Sequence, residues 1–211
     1  MIDESTDQLH LSGRRDRWHR RTHRLVSNNF PDLTIDFETQ FTAFQRSDAP
    51  DLYPVPLRAE IDALNAQVYE DVNNGVYKAG FATTQQAYEA AFDALFSRLD
   101  ALDTRLATRR FLLGGALTEA DVRLFTTLVR FDAVYYLHFK CNRRRLVDYP
   151  NLWPYTRDLY QHAGFGDTTN LDHIKRHYYM THAHLNPSRI VPKGPDVDWA
   201  APHGRATLGG G

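Results

Sequence analysis

Four histidines, His173, His177, His182 and His184, crowd the stretch DHIKRHYYMTHAH. His173 and His177 stand one helical turn apart, a spacing at which two imidazoles can share a metal ion. No H-E-x-x-H pattern accompanies them, and the interleaved Lys175 and Arg176 repel a cation, so surface or packing histidines are expected and no metal site. A second set is phenolic: Tyr77 in NNGVYKAGFA, the pair Tyr135–Tyr136, and the pair Tyr178–Tyr179. A buried tyrosine keeps a hydroxyl that needs a partner, and several converging phenols could bind or protonate a polar aromatic ligand. From spacing alone the simpler reading is core tyrosines with their hydroxyls at the rim. The third candidate is Cys141 in HFKCNRRRL, where Lys140 and Arg143–Arg145 would favour a thiolate. It falls late in a helix, whose negative end disfavours one, so a structural thiol is expected.

Arginine is concentrated near the start. Residues 13–24 hold six arginines against one acid, Asp16, in a chain whose net charge is only -1. That overall balance argues against a surface that binds nucleic acid, which is usually strongly basic. No apolar run reaches the roughly 20 residues needed to cross a bilayer. MIDESTDQLHLSG lacks the basic and apolar regions of a secretory signal. One cysteine cannot make an internal disulfide or a cysteine-based zinc site, so a reducing cytoplasm is expected.

The elements that must position these side chains are helical. Residues 31–56, rich in Pro, Asp and Thr, read as a connector with at most one short helical turn. Leu57, Ile61, Leu64 and Val68 recur at helical spacing until Asn73-Asn74-Gly75 stops the run. Thr83 and Gln86 predict a capping box, followed by the stripe Tyr88, Phe92, Leu95, Leu99, Leu102 and Leu106. Thr118 and Asp121 predict a second box. The apolar residues after it, Val122, Leu124, Phe125, Leu128, Val129, Phe131, Val134 and Leu137, spread widely around the wheel, which predicts a buried central helix. Pro150 and Pro154 bracket the first turn of a helix through Leu159, and Asn170 caps a last one from Leu171 to about Met180. Pro, Gly and Lys from Asn186 onward predict an extended tail over 186–211.

Several long segments resemble one family. FLLGGALTEADVRLFTTLVRFDAVYYLHFKCN, DYPNLWPYTRDLYQ, HIKRHYYMTHAHLNPSRIVPKGP and NNGVYKAGFATTQQAYEAA look like the C-terminal half of xi-class glutathione transferases, the glutathionyl-hydroquinone reductases. The resemblance runs from about residue 18 to 195. It implies a mostly α fold, a glutathione transferase C-terminal helical bundle over 57–185, preceded by a remnant of a thioredoxin-like α/β domain over 18–40 and a linker over 41–56. It also implies that three tyrosines, here Tyr77, Tyr135 and Tyr178, line a hydroquinone pocket. Trp18, Thr22, Leu25, Val26, Ser27 and Asn28 match the family's last strand and turn, so Ser27, Asn28 and Asn29 are expected to face glutathione or another low-molecular-weight thiol. His19, His23, Asn29 and Phe30 depart from that pattern. The glutamate of the family's turn, replaced here, would have contributed a charge-assisted hydrogen bond of roughly 1.5–3 kcal/mol.

Residues 1–17 match nothing in the family and are too few for a strand-helix-strand carrying its catalytic cysteine. No proline precedes Pro31 to supply the cis-proline beside the thiol. The expectation is therefore a family member without a catalytic residue of its own and with impaired reduction of glutathionyl-hydroquinones. It would be cytoplasmic and homodimeric, with no metal and no membrane or nucleic-acid partner. The alternative is a non-catalytic helical module that dimerises or binds quinone-like ligands.

Overall fold

The computed structural model describes residues 18–19, 24–25 and 27–208. Thr22, Val26, residues 1–17 and much of the arginine run lie outside them. Two compact units divide the chain, Met1–Tyr53 and Pro54–Gly211.

In the first unit β1 (Trp18–His19) pairs antiparallel with β2 (Arg24–Leu25), Trp18 opposite Leu25. Helix α1 (Phe30–Thr39) follows, where the composition predicted at most one turn. Pro31 explains the difference: at a helix start its fixed φ is pre-formed and its missing N–H costs nothing. Ser27 Oγ accepts the Asn29 N–H (3.2 Å) just before it. Phe37, Phe41 and Phe44 form an exposed aromatic ladder, with ring centroids 5.5 and 6.3 Å apart.

The second unit is helical: α2 (Arg58–Val68), α3 (Gly75–Gly80), α4 (Gln85–Arg105), α5 (Glu119–Arg130), α6 (Tyr136–His138), α7 (Leu152–Gln161) and α8 (Leu171–Thr181). Its core draws Ile61, Leu64 and Val68 from α2, and Leu95, Phe96, Leu99 and Leu102 from α4. Each fully buried leucine contributes roughly 1.5–3 kcal/mol. Nine of the twelve residues of α5 are buried, as a central helix requires.

Two π-turns interrupt the helices, Tyr69–Asn73 between α2 and α3 and Phe131–Tyr135 between α5 and α6. The first corrects the predicted stop at Asn73-Asn74-Gly75. Asn74 keeps helical angles (φ -87°, ψ -27°), because the Asn73 side chain is held by the Arg123 carbonyl (3.1 Å) and Thr127 Oγ1 (2.6 Å). The second corrects the buried stripe: it shifts the helical phase and turns Leu137 outward, 62% exposed. The first capping box also moves. Thr84, in extended backbone, is the N-cap and accepts the Ala87 N–H (3.2 Å), leaving Gln86 inside the first turn.

At the second box Thr118 is the N-cap, and Asp121 does more than reach back to it. Its fully buried carboxylate accepts from the Thr118 N–H (2.8 Å), the Thr118 hydroxyl (2.8 Å), the Leu112 N–H (2.9 Å) and the Tyr155 hydroxyl (2.8 Å). Asp103 of α4 likewise takes the Asn151 and Leu152 N–H groups that open α7 (2.9 and 2.8 Å). Residues 186–208 form no helix or strand, yet they are anchored. Arg205, 3% exposed, donates to the carbonyls of Leu106, Arg109 and Arg110, and Trp199 stacks on Tyr160 at 4.6 Å.

Candidate functional site

Three helical segments of the second unit bring Tyr77, Tyr135 and Tyr178 together. Tyr77 sits on α3 just after the first π-turn, Tyr135 closes the second, and Tyr178 opens the last turn of α8. The Tyr178 hydroxyl lies 2.5 Å from that of Tyr77 and 2.9 Å from that of Tyr135. Tyr178 is thus the middle of a chain of three hydroxyls. Tyr135 forms its buried end, and Tyr77, half-buried, its outer end. A phenol carries one proton and accepts through its oxygen, so the chain can run in either direction and present a donor or an acceptor at the Tyr77 end.

Rings fix this arrangement. Phe139 stacks on Tyr135 (5.5 Å, 24°) and meets Tyr77 edge-on (5.3 Å, 62°). Gly80 makes the approach of Phe139 to α3 possible: a Cβ there would lie 2.2 Å from Phe139 Cγ. Phe81 and His182 complete the wall (ring centroids 5.2 Å apart). Burial raises Tyr135 well above the ordinary phenol value, and the adjacent Tyr178 and Tyr77 add to the shift. Burial raises Tyr178 too, against the lowering effects of its bond to Tyr135 and of the nearby Arg130. Both therefore stay neutral hydrogen-bond donors at neutral pH.

The other phenols lie apart from this chain. The Tyr179 hydroxyl donates to the Ala133 carbonyl (3.3 Å), and Tyr136 is half-buried. Cys141 is fully buried, its thiol 3.8 Å from the Phe139 carbonyl, and burial pushes it up to about 12. The neighbouring arginines are occupied: Arg143 pairs with Asp100, Arg145 with Asp148 (2.7 Å), and Arg144 lies over the Tyr149 ring. His173 and His177 are exposed, and among the described residues no three His, Cys, Asp or Glu side chains gather as a metal site requires. Ser27 and Asn29 are half-buried and Asn28 exposed in the first unit. His138 escaped notice in the sequence; it is 7% exposed and 3.1 Å from His182, and no local pattern signals a contact across 44 residues.

Residues 85–158 match the family profile for the glutathione S-transferase C-terminal domain. The chain is 48% identical over 188 residues to the glutathionyl-hydroquinone reductase YqjG of Escherichia coli, covering 89% of this chain and 57% of that protein. It is 57% identical over 178 residues to the glutathionyl-hydroquinone reductase PcpF of Sphingobium chlorophenolicum, covering 84% and 56%. A xi-class glutathione transferase from Natrialba magadii superposes with a TM-score of 0.86 at 47% identity, over 89% of this chain and 57% of that one. The helical unit carries a glutathione S-transferase C-terminal domain and is similar to that of xi-class members. The glutathione-bound structure of YqjG gives a TM-score of 0.84 over 90% of this chain and 62% of the other. The chain spans little more than half the length of these curated relatives. No helix among the described residues is long and apolar enough to cross a membrane.

Proposed function

We propose that this chain takes part in the glutathione-dependent reduction of glutathionyl-hydroquinones, with Tyr77, Tyr178 and Tyr135 receiving the aromatic ring. The observation that carries this reading is the hydroxyl chain itself, two neutral buried phenols ending in a third that is more accessible. In this reaction a thiolate attacks the sulfur that joins glutathione to the ring. The ring reacts in its ketone tautomer, the sulfur-bearing carbon having taken up the proton given up by a ring hydroxyl. The carbon–sulfur electron pair passes through the ring onto the carbonyl oxygen, which takes a proton as the hydroquinone re-forms. The sulfurs are left as a mixed disulfide that a second glutathione thiol resolves. A hydroquinone oxygen gains negative character as the bond breaks, and phenol donors aimed at it stabilise that charge. The sulfur nucleophile is a thiol other than Cys141, whose burial and raised pKa leave almost no thiolate at neutral pH.

Ser27, Asn28 and Asn29 are assigned to the thiol peptide. The reading extends to a thioredoxin-like character for residues 18–40, a linker over 41–56, a cytoplasmic location and a homodimer. It is supported by the two reductases named above and by the glutathione held by a structural relative.

Fluorescence titration of the chain with hydroquinone tests the pocket. Saturable binding is expected, about tenfold weaker in Tyr178→Phe, the size of one lost hydrogen bond. Absence of binding, or equal binding by the variant, refutes it. Incubation with glutathionyl-hydroquinone and glutathione, scored for free hydroquinone and glutathione disulfide, measures how much reduction the chain supports.

A further inference from the structure

His138 and His182 close the two segments that carry Tyr135 and Tyr178. His182 caps α8 one turn beyond Tyr178, its N–H 3.4 Å from the Tyr178 carbonyl, and His138 ends α6 three residues after Tyr135. His138 Nε2 and His182 Nδ1 are 3.1 Å apart with ring planes 16° from parallel, so one N–H···N bond ties α6 to the end of α8. The faces of the pair are packed. His138 lies 4.6 Å from the Tyr179 ring, and His182 stands perpendicular to Tyr178 (5.5 Å, 88°) and parallel to Phe139 (5.9 Å, 15°). Through Phe139 that packing reaches Tyr135 and Tyr77. His182 thus touches the rings of the site while making no hydrogen bond to the hydroxyl chain.

Two neutral imidazoles offer one donor and one acceptor to each other, whereas two imidazolium rings offer donors only and cannot keep the bond. The charges that face the pair are all potential cations: His177 of α8, His184 beyond it, and Lys140 in the bend after α6. The remaining titratable neighbours are the neutral phenols Tyr178 and Tyr179. We infer that His182, clasped by His138, is a positioning residue: the neutral pair fixes the end of α8 against α6 and holds the Tyr178 hydroxyl between Tyr77 and Tyr135. Burial, and then the neighbouring cations, hold His138 down to about 4 and keep His182 below its ordinary value. The clasp is therefore intact at neutral pH, survives protonation of one ring, and opens once both are protonated, at about pH 4 and below. The inference rests on the hydroquinone reading for its consequence, and on the pair's geometry for its existence.

The test uses the full chain with tyrosine labelled at Cζ, whose resonance reports the hydroxyl's bonding, and hydroquinone as the ligand. In the wild type the Tyr178 signal, identified by its loss in Tyr178→Phe, is expected to move as the pH falls through about 4, between about 5 and about 3. His182→Phe keeps a ring and loses the bond. It should show a displaced signal that ignores pH, and bind hydroquinone about tenfold more weakly at pH 7. His182→Gln, whose amide carries both a donor and an acceptor, should recover the wild-type signal and affinity at pH 7 without the acid transition. A wild-type signal and pH profile in His182→Phe would overturn the inference. Should circular dichroism show that variant unfolded, His182→Gln decides alone: a retained acid transition overturns the clasp, and its loss supports it. A wild type that binds no hydroquinone, but whose Tyr178 signal follows pH and loses that response in the variants, refutes the ring-binding reading and leaves the clasp standing.

Discussion

Replacing Tyr178 with phenylalanine should cost far more than either outer substitution in the phenol chain, although each removes one oxygen atom. Tyr178 makes both hydroxyl contacts, to Tyr77 at 2.5 Å and to Tyr135 at 2.9 Å. Without it the Tyr135 hydroxyl, on a residue 2% exposed, loses its partner inside the core. A buried hydroxyl left unpaired costs about 1–3 kcal/mol, and the lost bond to Tyr77 adds about 0.5–1 kcal/mol. The expected total is about 1.5–4 kcal/mol. Tyr135→Phe leaves Tyr178 bonded to Tyr77 and should cost about 0.5–1.5 kcal/mol. Tyr77→Phe removes the more accessible end and should cost least, about 0.5 kcal/mol. The double variant Tyr135→Phe/Tyr178→Phe removes both partners of one bond, so it should be less destabilised than the sum of its single variants. Urea unfolding followed by circular dichroism measures all four, with the slope checked for constancy. Equal costs at the three positions, or strict additivity in the double variant, would refute the assignment of Tyr178 as the shared centre.

Other consequences are open to measurement. Asp121→Asn keeps the shape of the side chain but turns an amide donor toward existing donors. One of the Leu112 and Thr118 N–H groups is left unpaired, and the unfolding free energy should drop by about 2–4 kcal/mol; a loss below about 1 kcal/mol would show that the carboxylate is not the hub described. At pH 8 a thiol that titrates at about 12 rather than 9.0 holds about a thousandfold less thiolate, so Cys141 should resist iodoacetamide until urea unfolds the chain. Rapid native-state alkylation would contradict its burial. His138 takes a proton in the unfolded chain near 6.5 but in the folded one only near 4, so below pH 6.5 the unfolded state binds more protons. Stability should then fall as the pH drops from 6.5 toward 4, and His138→Phe should flatten part of that slope; an unchanged slope would count against the buried neutral ring.

The helical bundle was legible because its signals are local. Leucine spacing, Thr118 and Asn170 each act within a few residues, and α4, α5, α7 and α8 lie where those signals put them. Where a local preference competes with tertiary bonding, the reading slips. Asn73-Asn74-Gly75 looks like a stop, but the Asn73 amide is satisfied by α5 and the chain stays helical. Pro31 and the acidic residues around it look like a loop, although proline is at home in a first helical turn. The same limit governs the site. Spacing can nominate Tyr77, Tyr135 and Tyr178 only as core residues, since their meeting depends on separations of 101 and 43 positions. The family resemblance singled out those three as a pocket. The His138–His182 contact and the reach of Asp103 to α7 have no local signature at all.

The π-turn at Phe131–Tyr135 separates two properties that usually change together. A π-turn behaves as an α-helix with one residue too many, so removing a single residue there would let α5 and α6 merge into one regular helix. Everything beyond the deletion would swing by about 100°. Side chains after the turn would face a little more than a quarter-turn away from their present partners, while those before it kept theirs. This surplus residue is therefore a phase-setter: a one-codon deletion is a way to misalign Phe139 and His138 against α3 and α8 without altering the chemistry of any side chain that lines the site.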